Sequence, residues 1–203
     1  MGKRDRTAGK PEHRPLIMDK REMIRWLKEE REPELARLWE KADEARQRHV
    51  GDKVHLRGLI EISNICRRQC HYCGLRADNR GLRRYRMTAE EIMACVAQAV
   101  DYRYGTVVMQ AGEDERLKAE AIAGLIRKIQ RETPLSVTLS LGERSEAELR
   151  LWREAGADRY LLRFETSNRQ LYGQIHPSLP GKALDRRSSG ISLTWVTRPA
   201  AES

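Results

Sequence analysis

The sequence has few of the features that mark secreted, membrane or disulfide-built proteins. It contains no run of about 18 apolar residues, which rules out a transmembrane helix. No apolar stretch follows the basic residues at its N-terminus, so we expect no secretory signal. Four cysteines in 203 residues are too few for a disulfide scaffold. We therefore expect a cytoplasmic protein in a reducing compartment, where clustered cysteines serve metal or redox chemistry.

Aromatic residues are also scarce, at 5% with a single phenylalanine, while the net charge is +9. Nine basic but only two acidic residues lie between positions 53 and 86, around the cysteines. Such an excess indicates nucleic-acid binding, a positive setting for thiolates, or only a solvated basic loop. Because Tyr72 and Tyr85 are the only aromatic residues in this stretch, the base stacking typical of nucleic-acid binding is not expected.

Hydrophobic periodicity predicts two N-terminal helices followed by alternating strands and helices. Helices are expected at 19–30 and 33–49. Strands are then expected at 54–62, 106–110, 136–141 and 159–164, each followed by a helix, at 88–104, 117–132, 145–156 and 168–175. Capping boxes at Thr88 and Ser145 mark two of the helix starts. This order predicts an α/β fold with a parallel sheet, in the form of about four βα units of a TIM-type (β/α) barrel.

These patterns divide the chain into four regions. Residues 1–16 are polar, basic and interrupted by prolines, which predicts a disordered arm. Residues 17–50 hold the N-terminal helices, and residues 51–180 form the partial barrel. Residues 181–203 lose the periodic pattern, which predicts an irregular tail. Since a closed barrel typically needs about 250 residues, we expect a shortened chain that ends before the barrel closes. Whether such a chain is active by itself is left open at this point.

Three of the cysteines form a compact motif directly after the first predicted strand. Cys66, Cys70 and Cys73 have the spacing C-x3-C-x2-C, on a loop at the carboxyl end of that strand, where α/β folds build their sites. Three thiolates can hold three corners of an iron–sulfur cluster and leave the fourth iron open to a ligand. Two alternatives stay open: structural zinc with His55 or His71 as fourth ligand, and chemically inert cysteines.

With Tyr72 before its last cysteine, the motif resembles that of the radical S-adenosylmethionine (SAM) superfamily. The resemblance implies that the three cysteines ligate a 4Fe–4S cluster and that SAM chelates the open iron. It further implies reductive cleavage of SAM to a 5′-deoxyadenosyl radical. The SAM contacts that it implies are Tyr72 near the adenine, Gly112 and Glu113 at the amino group, and Arg163 and Glu165 at the carboxylate and ribose.

Flanking segments narrow the resemblance. They are similar to the HydE branch, the radical SAM maturases of FeFe-hydrogenase, in the segments EISNIC at 61–66, CHYCGLR at 70–76, RRYRMT at 83–88, QAGED at 110–114, LSLGE at 139–143 and RYLLRFET at 159–166. The similarity covers roughly residues 20–180, and the related methylornithine synthases have similar signatures. The resemblance implies a small-molecule substrate, an electron donor such as flavodoxin or ferredoxin, and other hydrogenase maturation proteins as partners.

Each of these contacts also has a plainer interpretation. Glu113 suits an ammonium group, but carboxylates are common in such loops. Arg163 and Glu165 share a face of the predicted fourth strand, where they either meet a ligand or pair with each other. Thr138 and Ser140 share a face of the third strand and either line the substrate space or only make hydrogen bonds.

The motif, the resemblance and the charge together leave three candidate functions: a HydE-type maturase, a methylornithine-synthase-like mutase, and a zinc-stabilised nucleic-acid-binding module.

Overall fold

The computed structural model describes residues 18–163 and 165–177, so the predicted arm at 1–16 and the predicted tail at 181–203 lie outside the described residues. The chain divides into two compact units after Val54. In the first unit, helix α1 spans Lys20–Leu27 and helix α2 spans Glu32–Val50. The Asp19 side chain caps the N-terminus of α1, and Pro33 lies in the first turn of α2. Aspartate at the N-cap and proline in the first turn are both typical of helix N-termini.

Neither of these two helices contains a fully buried residue. The Trp39 side chain is exposed. Trp152, in the second unit, is buried and donates from its indole N–H to the Ala119 carbonyl at 2.9 Å.

The second unit contains a four-stranded parallel sheet in the order β1-β2-β3-β4. Its strands are β1 (Arg57–Ser63), β2 (Thr106–Ala111), β3 (Ser136–Ser140) and β4 (Arg159–Tyr160). Each strand precedes a helix, namely α3 (Ala89–Asp101), α4 (Ala119–Glu132), α5 (Glu146–Glu154) and α6 (Arg169–Ile175). The predicted α/β fold with four parallel βα units is therefore confirmed.

The core lies between one face of the sheet and the helices. The side chains at alternate strand positions face α3, α4 and α5 and form one cluster with them: Ile60, Ile62, Val107, Met109, Val137, Leu139, Ile92, Val96, Ile122, Ile126, Ile129 and Trp152. Burial of each such aliphatic side chain contributes roughly 1.5–3 kcal/mol. Cys95 of α3 packs against this cluster in a partly buried position. The core thus fixes the sheet and presents the carboxyl ends of its strands to the loops that follow them.

The fourth strand is shorter than the pattern predicts. Hydrophobic residues predict a strand over 159–164, but β4 ends at Tyr160. Beyond it, the Leu161 N–H donates to the Leu139 carbonyl of β3 at 2.7 Å. The strand β3 ends at Ser140, and Gly142 turns the chain away with a φ of 79°. In the described residues, β4 therefore pairs with β3 at its first two positions. Phe164, at its predicted end, lies outside the described residues.

Candidate cluster and cofactor site

A cleft lies at the carboxyl ends of the four strands. All the sequence-predicted site residues except Thr138 line it, together with a few others: Cys66, Arg68, Cys70, Tyr72, Cys73, Leu75, Gln110, Ala111, Gly112, Glu113, Ser140, Gly142, Leu161, Leu162, Arg163 and Glu165. These residues come from four different loops or strand ends. The parallel topology thus brings together residues that are up to about a hundred positions apart in the sequence.

The loop between β1 and α3 has its shape fixed by the guanidinium of Arg84. Two N–H groups of one Arg84 nitrogen donate to the carbonyls of Asn64 at 2.7 Å and Leu75 at 2.9 Å. The other terminal nitrogen donates to the carbonyls of Arg76 at 2.7 Å and Asn79 at 3.3 Å. Since a guanidinium offers five donors in a fixed plane, one side chain ties the start of the cysteine loop to its end.

Cys66 lies at the tightest point of the site. Its sulfur accepts hydrogen bonds from the backbone N–H groups of Arg68 and Glu113, both at 3.4 Å. A Cβ added to Gly112 would overlap the Ile65 carbonyl oxygen and lie 2.7 Å from the Cβ of Cys66. Only glycine therefore lets the end of β2 approach the first cysteine, and backbone N–H donors favour a sulfur that carries negative charge.

Cys70 and Cys73 close a tight turn, in which Cys73 N–H donates to the Cys70 carbonyl at 3.0 Å. None of Cys66, Cys70 and Cys73 is in a disulfide among the described residues, and all three are partly buried. Between the last two, His71 N–H donates to the carbonyl of Ile175 at 3.0 Å, and the Tyr72 hydroxyl lies 2.8 Å from Nε2 of His176. The end of α6 therefore supports the cysteine turn.

Glu113 is buried among arginines. Its Oε2 accepts from Nε of Arg68 at 2.9 Å and lies 3.5 Å from Nε of Arg67. Arg68 also donates to Glu143 at 3.1 Å, and Arg67 is paired with Glu115. Carboxylates and guanidiniums thus form a charged network around Glu113. The structure places Glu113 in the cleft, and the sequence pattern did not indicate that Arg67 and Arg68 are its partners.

Asp114, the next residue, has a structural role that the sequence pattern did not indicate. It is fully buried and accepts two hydrogen bonds from Arg86, at 2.7 and 2.8 Å, and one from the Ser63 hydroxyl at 2.7 Å. Burial alone opposes its ionisation, but these donors and the Arg116 N–H outweigh it and lower the pKa of Asp114. The carboxylate thus joins the ends of β1 and β2 to the segment that precedes α3.

Arg163 and Glu165 lie beyond the end of β4, so the expectation that they share one face of a strand is wrong. The Arg163 guanidinium donates to Oε1 of Gln110 at 2.8 Å, and the amide of Gln110 donates to Glu61 at 3.2 Å. Both Arg163 and Glu165 are exposed, and Glu165 has a φ of 61°, in the left-handed region. The two side chains reach the cleft from an irregular segment and not from a strand.

The donors at the cysteine loop suit a cluster better than a single ion. In the described ranges, no group of three or more His, Cys, Asp and Glu side chains is arranged to hold one metal ion. A single zinc would draw all its sulfurs to about 2.3 Å from one centre. A cubane cluster instead offers a separate iron to each of three cysteines. Three cysteines that line one cleft, with Gly112 next to the first of them, fit such a group.

Comparison with known proteins identifies the family. A family model described as the radical SAM superfamily matches residues 60–192. The chain belongs to the radical SAM superfamily. Membership in the superfamily implies, in general terms, a 4Fe–4S cluster and SAM as cofactors, in agreement with the resemblance of the cysteine motif.

Several radical SAM proteins are similar over most of the chain. The chain is 48% identical to the [FeFe] hydrogenase maturase subunit HydE of Thermotoga maritima over 140 residues, which cover 69% of this chain and 40% of that protein. It is 29% identical to the 3-methylornithine synthase of Methanosarcina acetivorans over 162 residues, which cover 78% of this chain and 46% of the relative. The chain thus spans less than half the length of these curated relatives.

A solved radical SAM structure shows the same architecture. The crystal structure of methylornithine synthase (PylB) superposes with a TM-score of 0.72 and 27% sequence identity, over 83% of this chain and 50% of that one. The prediction of a radical SAM protein that resembles HydE and, more distantly, methylornithine synthase is therefore confirmed. No helix in the described part of this radical SAM chain is long and apolar enough to cross a membrane.

Proposed function

We propose that this chain provides the cluster-binding and SAM-binding part of a radical SAM enzyme of the hydrogenase-maturation type. The observation that carries the proposal is the cleft itself. It collects the three motif cysteines, the Gly112–Glu113 pair, Arg163 and Glu165 at the carboxyl ends of parallel strands, in a chain that is 48% identical to HydE. Function at this end of the sheet is typical of barrel enzymes.

The residues have distinct proposed roles. Cys66, Cys70 and Cys73 would hold the 4Fe–4S cluster, with Cys66 already oriented by two backbone N–H donors. Tyr72 would contact the adenine from the rim of the cleft, where its ring is half-exposed. Together the bound cofactors supply hydrogen-atom abstraction, while the protein orients them. Substrate contacts are proposed for Ser140 and, deeper in the sheet, Thr138.

The charges around the cleft match the two ends of the amino-acid moiety of SAM. Gly112 and Glu113 are proposed to receive its ammonium group, because Glu113 lines the cleft and a carboxylate attracts an ammonium group. Arg163 is proposed to receive the carboxylate, since an exposed guanidinium engaged with one amide oxygen keeps further donors for a bidentate contact. Glu165, next to it on the rim, is proposed to accept from the ribose hydroxyls.

The basic residues around the cysteines have intramolecular partners. Five of the nine between positions 53 and 86 make the hydrogen bonds or ion pairs that fix the loop: Arg67, Arg68, Arg76, Arg84 and Arg86. We therefore propose that the charge excess serves the cysteine loop and its anionic cluster, with a small-molecule substrate, and not a nucleic acid. A flavodoxin or ferredoxin is proposed as electron donor, in the reducing cytoplasm.

A methylornithine-synthase-like mutase is the second candidate, favoured by the superposition on that enzyme. The first is preferred because identity to HydE is 48% against 29% for the 3-methylornithine synthase. Formation of 3-methylornithine by the reconstituted chain would support the second candidate over the first.

The test is anaerobic reconstitution with iron and sulfide. We expect about four irons per chain and an electron paramagnetic resonance spectrum of the reduced protein that changes on addition of SAM. Cys66→Ala, Cys70→Ala and Cys73→Ala should each lose the iron. Cys95→Ala is the matched control, because Cys95 packs on the core in α3 and should leave iron binding unchanged. A wild-type chain that takes up no iron, or whose spectrum ignores SAM, would contradict the proposal.

A further inference from the structure

Helix α6 touches the cysteine loop at two adjacent points. His71 N–H donates to the carbonyl of Ile175, the last residue of α6, at 3.0 Å. One residue further in each segment, the Tyr72 hydroxyl lies 2.8 Å from Nε2 of His176, with the two rings edge to face at 5.3 Å. Both loop residues lie between Cys70 and Cys73. The segment that joins two of the three proposed cluster ligands is therefore held from outside the loop.

His176 is itself fixed in place. Its ring stacks on that of Tyr172 at 4.0 Å with an interplanar angle of 19°, and both residues are buried. Its Nδ1 lies 3.1 Å from the Tyr172 carbonyl oxygen, which can only accept a hydrogen bond. Nδ1 therefore carries the proton of the neutral ring, and Nε2 accepts the proton of the Tyr72 hydroxyl. In this tautomer the Tyr72 hydroxyl donates to Nε2 of His176, and the reverse direction is excluded.

The Tyr72 hydroxyl contacts this fixed imidazole, while more than half of the residue, 54%, is exposed at the cleft. The hydrogen bond to a rigid, buried imidazole selects one orientation. Because Tyr72 is covalently placed one residue before Cys73, the orientation of the ring and that of the cysteine turn are linked.

From these contacts we infer that His176 is a positioning residue that fixes the Tyr72 ring and the turn from Cys70 to Cys73. This inference rests on the proposed function, since the fixed ring is the one proposed to contact the adenine of SAM. In this role α6 acts as a clamp that orders the turn from Cys70 to Cys73 before any cofactor binds. Because the turn is already ordered, less conformational entropy is lost when the cofactors bind.

Thiol alkylation in the cofactor-free protein tests the clamp without any need for the proposed function. Tyr72→Phe keeps the ring and removes the hydroxyl, while His176→Phe keeps the stacking and removes the acceptor. The rates at which iodoacetamide modifies each cysteine are followed by mass spectrometry. We expect Cys70 and Cys73 to react about two- to tenfold faster in either variant, the range that loss of one neutral hydrogen bond gives. Cys66 should keep its wild-type rate.

Three controls separate a clamp from a general loss of stability. The double variant should react no faster than either single variant, because both remove the same hydrogen bond. His176→Gln offers a carbonyl oxygen to the Tyr72 hydroxyl and should restore part of the protection. Tyr102→Phe removes an exposed hydroxyl at the end of α3 and should change no rate. Tyr72→Phe removes only the hydroxyl oxygen of a half-exposed ring and should fold. If His176→Phe does not fold, the alkylation rates of Tyr72→Phe alone test the clamp.

The reconstituted protein gives the second readout. Tyr72→Phe and His176→Phe should retain the wild-type iron content but need a higher SAM concentration, about two- to tenfold, to change the resonance spectrum. His176→Gln should need a SAM concentration between those of the wild type and His176→Phe. Equal alkylation rates in all variants, additive effects in the double variant, or an unchanged SAM affinity would each overturn the inference. If the wild type binds no iron, the proposed function fails, while the alkylation rates still decide whether the clamp exists.

Discussion

Substitution of Gly112 by alanine tests whether the close approach of the end of β2 to Cys66 requires a residue without a side chain. The added methyl group would overlap the Ile65 carbonyl oxygen and lie 2.7 Å from the Cβ of Cys66. Extra methylenes in a well-packed region typically cost about 1–3 kcal/mol. Here the obstacle is backbone and the root of a proposed ligand, neither of which can rotate away as a long side chain does. We therefore expect a loss of about 3 kcal/mol in the free energy of unfolding.

Gly124→Ala is the matched control. Gly124 lies in α4, and no atom outside its own helix lies within 4 Å of an added Cβ. Alanine in a helix interior is favoured over glycine by about 0.5–1 kcal/mol. The same chemical change is thus expected to destabilise the protein at position 112 and to stabilise it at position 124.

Urea unfolding of the cofactor-free chain, followed by circular dichroism, measures both effects. With a slope of about 2 kcal/mol per molar urea, Gly112→Ala should lower the midpoint by about 1.5 M, and Gly124→Ala should raise it slightly. Reconstituted Gly112→Ala should also bind less iron than the wild type, because the methyl group displaces Cys66. If it unfolds at the wild-type midpoint and takes up as much iron, the close approach of β2 to the cysteine loop is not as described.

Two further substitutions probe the charged supports of the loop. Asp114 has a lowered pKa, so its ion pair with Arg86 stabilises the fold above the ordinary carboxyl pKa of about 4, and that stability is lost as the pH falls through the lowered value. Asp114→Asn should cost at least about 1.5–3 kcal/mol at pH 7 and flatten the acid limb of a stability–pH profile; an unchanged acid limb would contradict this account. Arg84→Lys keeps the charge but not the planar fork that bonds four carbonyls. It should speed proteolysis within residues 66–80 with little change in the urea midpoint, and an unaltered cleavage pattern would count against the role given to Arg84.

Local signals in the sequence predicted the helices well. The capping boxes at Thr88 and Ser145 are both present, and the carboxylates of Glu91 and Glu148 accept a hydrogen bond from the backbone N–H of the cap residue. Such motifs are complete within four residues, so no tertiary information is needed to recognise them. The placement of the cysteine motif after the first strand was equally local, and the order of elements then determined which end of the sheet carries the cleft.

Periodicity in the sequence did not identify ion pairs between residues that are far apart in the chain. The stretch from 53 to 86 showed only an excess of positive charge, because periodicity does not say which carboxylate or carbonyl a given arginine will meet. Arg86 pairs with Asp114, which is 28 residues away, and Arg68 with Glu143, which is 75 residues away. The fourth strand was predicted too long for a similar reason: its length depends on where its neighbour β3 turns away at Gly142, not on its own apolar residues.

The strand register assigns different depths to the two hydroxyls proposed to meet the substrate. Leu59, Val108 and Thr138 are paired across three strands in one row, and the next row on the same face is Glu61, Gln110 and Ser140. Rows on one face are about 6.6 Å apart along the strands. The row nearer the cysteines is polar and is joined to Arg163 through Gln110, whereas the row below it is mostly apolar. We therefore expect a small polar substrate in the cleft to contact Ser140, and only a molecule that extends one row further towards the amino ends of the strands to reach Thr138.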